Sequence, residues 1–190
     1  MFTGIITQRG TVIARTRLGV SIGANERFLR RLKCGDSVAI DGACLTIVGK
    51  GGNSFSADIM QETARRTTLG DLKRGTRVNI ELPVTPTSFL SGHFVQGHVD
   101  GTGTLVSVAR KGSSRILKFS VPHALSKYIV EKGSIAVNGV ALTVIDAGKN
   151  YFTVGIIPHT RDSTSFRSMK VGARANIEVD VLAKYLEKLV

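Results

Sequence analysis

The chain has 190 residues, of which 42% are hydrophobic and 21% are charged, a composition typical of a soluble globular protein of one domain or two small ones. It contains no run of 18 apolar residues, no signal-peptide pattern and only two cysteines, so we expect neither a membrane protein nor a disulfide scaffold but a cytoplasmic protein. Lys and Arg number 26 against 14 Asp and Glu, but no long basic run and no Trp accompany this excess, which disfavours nucleic-acid binding.

Alternating polar and apolar residues predict a series of short β-strands along the chain. These strands cover residues 37–41, 45–48, 54–60, 77–82, 134–138, 142–145 and 151–157. Helices are predicted to be short, of two turns at most, at residues 26–32 and 124–130. The tail from residue 182 onward has the spacing of one apolar helical face, made of Leu182, Leu186 and Leu189.

The two halves of the chain are copies of one another at a constant shift of 97 residues. Over positions 42–81 this shift gives 15 identities in 40 aligned positions without a gap. The clearest block pairs residues 42–46 (GACLT) with 139–143 (GVALT), and a shift of 93 aligns Gly4 with Gly97 upstream. A period of this length is the size of a small domain and is too long for a solenoid repeat. The sequence therefore predicts two fused homologous domains.

We predict the domain boundaries at 1–88 and 89–183, because the prolines of the segment 83–88 suit neither a helix nor a central strand. Residues 184–190 are predicted to form a short C-terminal helix. About six strands fit into each copy, and closure into a small barrel removes the exposed edges that such short sheets would otherwise present. The predicted fold class is all-β.

Four segments resemble the riboflavin synthase family, in order and over essentially the whole chain. They are residues 1–6 (MFTGII), 42–46 (GACLT), 92–101 (GHFVQGHVDG) and 132–139 (KGSIAVNG). The resemblance implies two tandem six-stranded antiparallel Greek-key barrels with a short C-terminal helix, assembled as a homotrimer. It also implies lumazine synthase as a further protein partner.

The resemblance implies a transferase reaction in which one substrate gives a four-carbon unit to an identical one. Two molecules of 6,7-dimethyl-8-ribityllumazine dismutate to riboflavin and 5-amino-6-ribitylamino-pyrimidinedione, with no cofactor or metal. Each barrel is expected to bind one lumazine, and the reacting pair is expected to meet where the N-terminal barrel of one subunit faces the C-terminal barrel of a neighbour. Identical substrates explain why one pocket design occurs twice.

Three residues are predicted from the resemblance to be catalytic: Cys44, His98 and Lys132. Cys44 is aligned with Ala141 and is either a small buried hydrophobic residue or a thiol that lines the first pocket. His98 is either a polar residue at the end of a strand or a proton carrier near the reacting pair. Lys132 is either a surface lysine or a contact to the ribityl chain.

A larger set of residues is predicted to bind the substrate. Threonines that recur in both copies are assigned hydrogen bonds to the ring, with β-propensity as the alternative explanation. Asn79 and Asn176 also recur and are predicted to shape the pockets. The predicted substrate-binding residues are Gly4, Ile5, Ile6, Cys44, Leu45, Thr46, Asp58, Ile59, Met60, Gln61, Glu62, Thr63, Gly97, His98, Val99, Lys132, Ala141, Leu142, Thr143, Gly155, Ile156, Ile157, Pro158, His159 and Thr160.

Two features depart from the family pattern. Ala141 stands where the family usually has serine, so we expect slower but not abolished turnover. The tail is shorter than the family's usual C-terminal helix, so a weak trimer or a monomer is the alternative assembly. The alternative functions are a non-catalytic lumazine- or flavin-binding protein of the same fold and, third, a nucleic-acid binder built on a small barrel. His93 and His98 lack a metal-ligand spacing, and no metal site is predicted.

Overall fold

The chain folds into two β-barrels that follow one another in sequence. The structure is a computed structural model that describes residues 1–189. The first half contains β1 (Gln8–Arg15), β2 (Gly19–Gly23), α1 (Glu26–Leu29), β3 (Ser37–Ile40), β4 (Ala43–Gly51), β5 (Ser54–Asp58), α2 (Gln61–Arg66) and β6 (Arg77–Glu81). The second half contains β7 (Gly101–Lys111), β8 (Ser114–Ser120), α3 (His123–Ser126), β9 (Ser134–Val137), β10 (Val140–Gly148), β11 (Tyr151–Ile156), α4 (Pro158–Ser163), β12 (Arg174–Val179) and α5 (Val181–Leu189).

Both sheets close on themselves, and their strand pairs are antiparallel. The strand order is β1-β2-β5-β4-β3-β6 in the first barrel and β7-β8-β11-β10-β9-β12 in the second, which is the same order six strands later. β1 pairs with β6 and β7 pairs with β12, so neither barrel leaves an open edge. β2 pairs with β5 instead of with β3, which is a Greek-key connection. The predicted fold class is confirmed.

Each barrel has its own apolar core, and this core explains why buried and exposed residues alternate along the strands. In β5, Phe55 and Ala57 are buried in the first barrel, whereas their neighbours along the strand are more exposed. In the second barrel, Phe119 and Phe152 stack with ring centroids 5.4 Å apart. A one-residue slip of a strand would turn its apolar side chains outward, and burying each of them contributes about 1.5–3 kcal/mol. The period-two pattern therefore fixes the strand register.

The observed helices match the predicted ones only in part. Short helices α1 and α3 lie at the matching places that the sequence predicts. The sequence does not predict α2 and α4, because six residues are too few to show a helical period. The C-terminal helix α5 begins at Val181, earlier than the predicted start at residue 184, and the last predicted position, 190, lies outside the described residues.

The connection between the barrels, residues 82–100, has no regular strand or helix and contains one isolated β-bridge, at Val95. The domain boundary predicted between residues 88 and 89 falls inside this connection and stays a prediction. Among residues 1–189, no helix is both long and apolar enough to cross a membrane.

Two glycines bring the barrels into direct backbone contact. Gly42 and Gly139, which the repeat aligns, have φ angles of +79° and +75° and lie just before β4 and β10. A Cβ atom built on Gly42 would lie 2.6 Å from the backbone nitrogen of Gly139, and one built on Gly139 would lie 2.8 Å from the Cα atom of Gly42. A side chain at either position would push the barrels apart.

Gly42→Ala is therefore expected to destabilise the protein by about 2 kcal/mol, because alanine disfavours positive φ and its methyl group would collide with backbone. Gly52→Ala is the matched control, since nothing lies within 4 Å of a Cβ atom built there. Urea unfolding of both variants measures the difference in the free energy of unfolding. Equal stability of the two variants would contradict the close contact between the barrels.

A buried hydrogen-bond network crosses the same interface. Asn79 donates from Nδ2 to the carbonyl of Asn138 at 2.9 Å, and Asn176 donates to the carbonyl of Asp41 at 2.8 Å. The side chains of Asp41 and Asn138 accept from the backbone N–H groups of Asn79 and Asn176 within their own barrels. The prediction that the two recurring asparagines shape the ligand pockets is wrong, because their buried side chains join the barrels instead.

Candidate functional site

Each barrel receives a short segment from the start of the other copy. The N–H of Ala141 in the second barrel donates to the carbonyl of Gly4 at 2.9 Å. Reciprocally, the N–H of Cys44 in the first barrel donates to the carbonyl of Gly97 at 2.8 Å. The two segments also pair with one another through an isolated β-bridge at Phe2. The exchange creates two equivalent places, one on each barrel, where a segment from one copy covers a strand of the other.

Glycine is required at both crossing points. Gly4 and Gly97 have φ angles of +77° and +81°. A Cβ atom on Gly4 would lie 2.6 Å from the Cβ atom of Ala141, and one on Gly97 would lie 2.6 Å from that of Cys44. The glycines that the shift of 93 aligns are therefore explained by close approach between the copies.

Two buried carboxylates hold these segments in place. Glu81 accepts hydrogen bonds from the backbone N–H and the hydroxyl of Thr3, both at 2.8 Å, and from the next N–H at 3.1 Å. Glu178 accepts from the N–H groups of Gln96 at 2.6 Å and Gly97 at 2.9 Å. Burial raises the pKa of both carboxyl groups, and these donors oppose the rise. The duplicated glutamates thus anchor the exchanged segments.

The first of the two places contains a pocket of 170 Å³ beside β4, called here the first pocket. Six residues of the predicted set line it together: Cys44, Glu62, Thr63, Gly97, His98 and Val99. The sequence analysis missed three further lining residues, Ala43, Arg66 and Thr67. Pockets for small molecules usually measure about 300–1,000 Å³, so a whole lumazine would extend out of this one.

On one side of the first pocket, the negative charge of a glutamate is neutralised by two neighbouring arginines. The carboxylate of Glu62 accepts hydrogen bonds from the guanidinium groups of Arg65 and Arg66. These bonds lower the pKa of Glu62 to about 2. The wall formed by α2 therefore carries an ion-paired carboxylate.

The second place opens into a cleft of 460 Å³, called here the second cleft. Two predicted substrate-binding residues, Ile6 and His159, line it. They occupy the repeat positions of Val99 and Glu62, so the cleft overlaps in part the place that corresponds to the first pocket, although Gly4 and Ala141 do not line it. The sequence analysis missed the other lining residues, Thr7, Gln8, Asn25, Arg27, Phe28, Arg31, Leu82 and Ser163. Its volume is sufficient for a lumazine.

Ala141 is covered by residues from the connection between the barrels. A Cβ atom built on Gly92 would lie 3.0 Å from the Cβ atom of Ala141. His93 follows Gly92, and burial lowers the pKa of His93 while the charge of Asp180 opposes this effect. A half-buried histidine therefore directly follows the glycine that lies against Ala141. Residues 1–189 contain no group of three or more His, Cys, Asp or Glu side chains placed to hold a metal ion.

Lys132 lies in the turn before β9, where its side chain is exposed and its φ angle is +64°. The aligned residue of the first copy is Gly35, with a φ angle of +90°. The N–H of Lys132 donates to the carbonyl of Val144 in β10 at 2.9 Å, and that of Gly35 donates to the carbonyl of Ile47 in β4 at 2.8 Å. A left-handed backbone conformation costs a non-glycine residue about 1–2 kcal/mol. Lys132 therefore occupies a position at which glycine would be more stable.

The remaining predicted residues lie outside the first pocket and the second cleft. The side chains of Leu45, Ile59 and Ile156 are buried in the barrel cores, and the partly buried Leu142 packs against the core of the second barrel. Gly155 and Thr160 are half-buried. The exposed ones are Ile5, Thr46, Asp58, Met60, Gln61, Lys132, Thr143, Ile157 and Pro158.

The lumazine binding domain family matches the chain twice, at residues 3–83 and 96–180. The riboflavin synthase of Mycobacterium tuberculosis H37Rv is 42% identical over 199 aligned positions, covering 100% of this chain and 98% of the relative. The riboflavin synthases of Actinobacillus pleuropneumoniae and Bacillus subtilis are 39% and 36% identical and cover 99% and 98% of this chain. This chain covers 89% and 88% of those two relatives.

Two solved structures have the same fold. The crystal structure of LumP complexed with riboflavin superposes with a TM-score of 0.87 at 21% identity, covering 94% of this chain and 99% of that chain. The structure of LumP complexed with 6,7-dimethyl-8-(1'-D-ribityl) lumazine gives a TM-score of 0.84 at 20% identity with the same coverage.

Proposed function

The chain belongs to the riboflavin synthase family, and from this premise we propose that it converts two molecules of 6,7-dimethyl-8-ribityllumazine into riboflavin and 5-amino-6-ribitylamino-pyrimidinedione. It is a transferase of a four-carbon unit. The observation that carries the proposal is the doubled site, in which each barrel is covered by a glycine-containing segment of the other copy. A reaction between two identical molecules needs two similar pockets whose chemistry differs in detail.

The two sites differ where donor and acceptor roles require it. Cys44 in the first pocket is aligned with Ala141, and Glu62 is aligned with His159 in the second cleft. Holding two ring systems together can supply about 7–11 kcal/mol of the barrier, because a bimolecular step becomes local. A positioned acid or base adds roughly 10²–10⁴ in rate. We assign the latter role to His98 and a ligand contact to Cys44, since both line the first pocket.

Incubation of the purified protein with 6,7-dimethyl-8-ribityllumazine tests the proposal, with riboflavin fluorescence as the readout. Riboflavin formation without an added cofactor is the expected result. Binding of lumazine without product would favour the alternative function, a non-catalytic lumazine- or flavin-binding protein of the same fold. Absence of both binding and product would contradict both functions.

Ala141→Ser is expected to raise turnover, because a hydroxyl beside Gly4 and Gly92 would supply a proton-handling group at the second site. We expect an increase of roughly tenfold or less, the lower part of what one acid or base contributes. The steady-state rate of riboflavin formation measures it, and Ala147→Ser on the same strand is the control. A rate unchanged within error would show that position 141 is not catalytic in this chain.

Lys132→Gly is expected to stabilise the protein by about 1 kcal/mol, because glycine tolerates the φ angle of +64°. If Lys132 contacts the ribityl chain, the same variant should have a higher KM for lumazine. Thermal unfolding and steady-state kinetics measure the two effects separately, with the exposed Lys111→Gly as the control. A variant with unchanged KM would contradict the assignment of Lys132 to substrate binding.

We also propose that the chain forms the homotrimer that the resemblance implies. The support is the apolar face of α5, where Leu182, Tyr185, Leu186 and Leu189 are at least 60% exposed. Burying such side chains between subunits would contribute about 1.5–3 kcal/mol each. Sedimentation equilibrium should give three times the chain mass of 20.3 kDa, and a mass of one chain would contradict the trimer. Lumazine synthase as a partner and a cytoplasmic location stay predictions.

A further inference from the structure

The second cleft carries positive charge that the proposed substrate does not need. Arg27 in α1 and Arg31, two residues after its end, both line it, together with His159. None of the residues that line the cleft is an aspartate or a glutamate. 6,7-Dimethyl-8-ribityllumazine has a neutral ribityl chain without a phosphate. The charge therefore matches a ligand other than the substrate.

The two arginines are free of carboxylate partners among residues 1–189. Their neighbour Arg30 forms an ion pair with Glu26 at 2.6 Å, whereas neither Arg27 nor Arg31 takes part in a salt bridge or a side-chain hydrogen bond. Two guanidinium groups in one cleft repel each other until an anion lies between them. Arginine is also the side chain best suited to phosphate, because its planar fork donates two parallel hydrogen bonds.

The charge is specific to the second site. In the repeat, Arg27 and Arg31 are aligned with Ala124 and Tyr128, so the other copy has no cation at either position. The first pocket does contain Arg66, but Arg66 is paired with Glu62. Shared ancestry therefore does not explain the arginines, since only one of the two ligand sites has them.

We propose that the second cleft binds flavins or lumazines whose ribityl chain ends in a phosphate ester, with Arg27 and Arg31 holding the phosphate. A phosphate ester carries about −1.5 to −2 charges at neutral pH, which two arginines can compensate. The ligand class corresponds to riboflavin after phosphorylation of its terminal hydroxyl, so such a ligand would compete with lumazine at this site. The inference rests on the proposed function, because it takes the second cleft to be a ligand site.

Fluorescence titration with flavin mononucleotide and with riboflavin tests the proposal on the intact protein. Two charge-assisted contacts predict that one site per chain binds flavin mononucleotide about tenfold to a hundredfold more tightly than riboflavin. In the double variant Arg27→Gln/Arg31→Gln this ratio should fall to near one. Arg30→Gln is the matched control, since it removes an adjacent arginine that is paired on the surface, and it should keep the ratio.

Competition with inorganic phosphate separates a phosphate ester from free phosphate. Millimolar phosphate should weaken binding of flavin mononucleotide to the unaltered protein and leave binding of riboflavin unchanged. A ratio near one in the unaltered protein, or a ratio that survives in the double variant, would overturn the proposal. Phosphate binding without preference for flavin mononucleotide would also overturn it. Turnover of lumazine in the same preparation shows whether the proposed function holds independently of these outcomes.

Discussion

Glu178→Ala is expected to lower the free energy of unfolding by about 3–5 kcal/mol and the rate of riboflavin formation by up to about a hundredfold. The carboxylate accepts hydrogen bonds from the N–H groups of Gln96 and Gly97, and each donor left without a partner in a buried place costs about 1–3 kcal/mol. The same bonds position His98, which follows directly and lines the first pocket. Small displacements of a catalytic group cost as much as a hundredfold in rate.

Lumazine binding distinguishes this local effect from general unfolding. Glu178→Ala should bind one lumazine per chain, because Glu81 still anchors the segment of the second site. Glu131→Ala is the control, since that residue is exposed and its side chain has no hydrogen-bond partner among residues 1–189. A Glu178→Ala protein that binds two lumazines and has full turnover would contradict the anchoring role.

Asp41→Asn is expected to stabilise the protein at alkaline pH by about 2–4 kcal/mol. Burial raises the pKa of Asp41 from 3.8 to about 7, although its hydrogen bond from Asn79 opposes the rise. The folded protein therefore keeps a proton on Asp41 between about pH 4 and pH 7 that the unfolded chain releases. The contribution of this carboxyl group to stability is full below about pH 4 and is lost as the pH rises to about 7.

The second copy has asparagine at the equivalent position. There the side chain of Asn138 accepts the equivalent hydrogen bond from the backbone N–H of Asn176 at 2.7 Å. Thermal and urea unfolding at pH 5 and pH 8.5 measure the effect, and the difference between Asp41→Asn and the unaltered protein should grow with pH. Asp36→Asn is the control, because it removes a carboxylate from a surface turn. A stability difference that is equal at the two pH values would contradict an ionisable group buried between the barrels.

The fold follows from the sequence because its signals are local. The alternation in residues 54–58 and 151–156 gives strands, and the constant shift of 97 residues shows that the second half repeats the first. The helices α2 and α4 are set by tertiary packing, since six residues have no measurable period. Barrel closure is a non-local property that the sequence indicates only through the number of strands.

The lining of the first pocket could be predicted in part, mostly from the family-like segments. Cys44 and His98 lie in those segments, and the structure places them in one pocket with Glu62, which lies outside them. The prediction that Asn79 shapes a pocket is wrong, because its side chain joins the two barrels. A residue that recurs in both copies can serve the contact between the copies as well as ligand binding. Arg27 could not be placed, since its contribution to the second cleft depends on how the two barrels sit against each other.

The ratio of lumazine consumed to riboflavin formed tests the central claim most directly. A dismutation in two sites predicts that two molecules of 6,7-dimethyl-8-ribityllumazine disappear for each riboflavin and each pyrimidinedione that appear. Equilibrium titration should also show two lumazines bound per chain. One bound lumazine per chain with no riboflavin formed would contradict the account, because it would leave the second barrel without a role in the reaction.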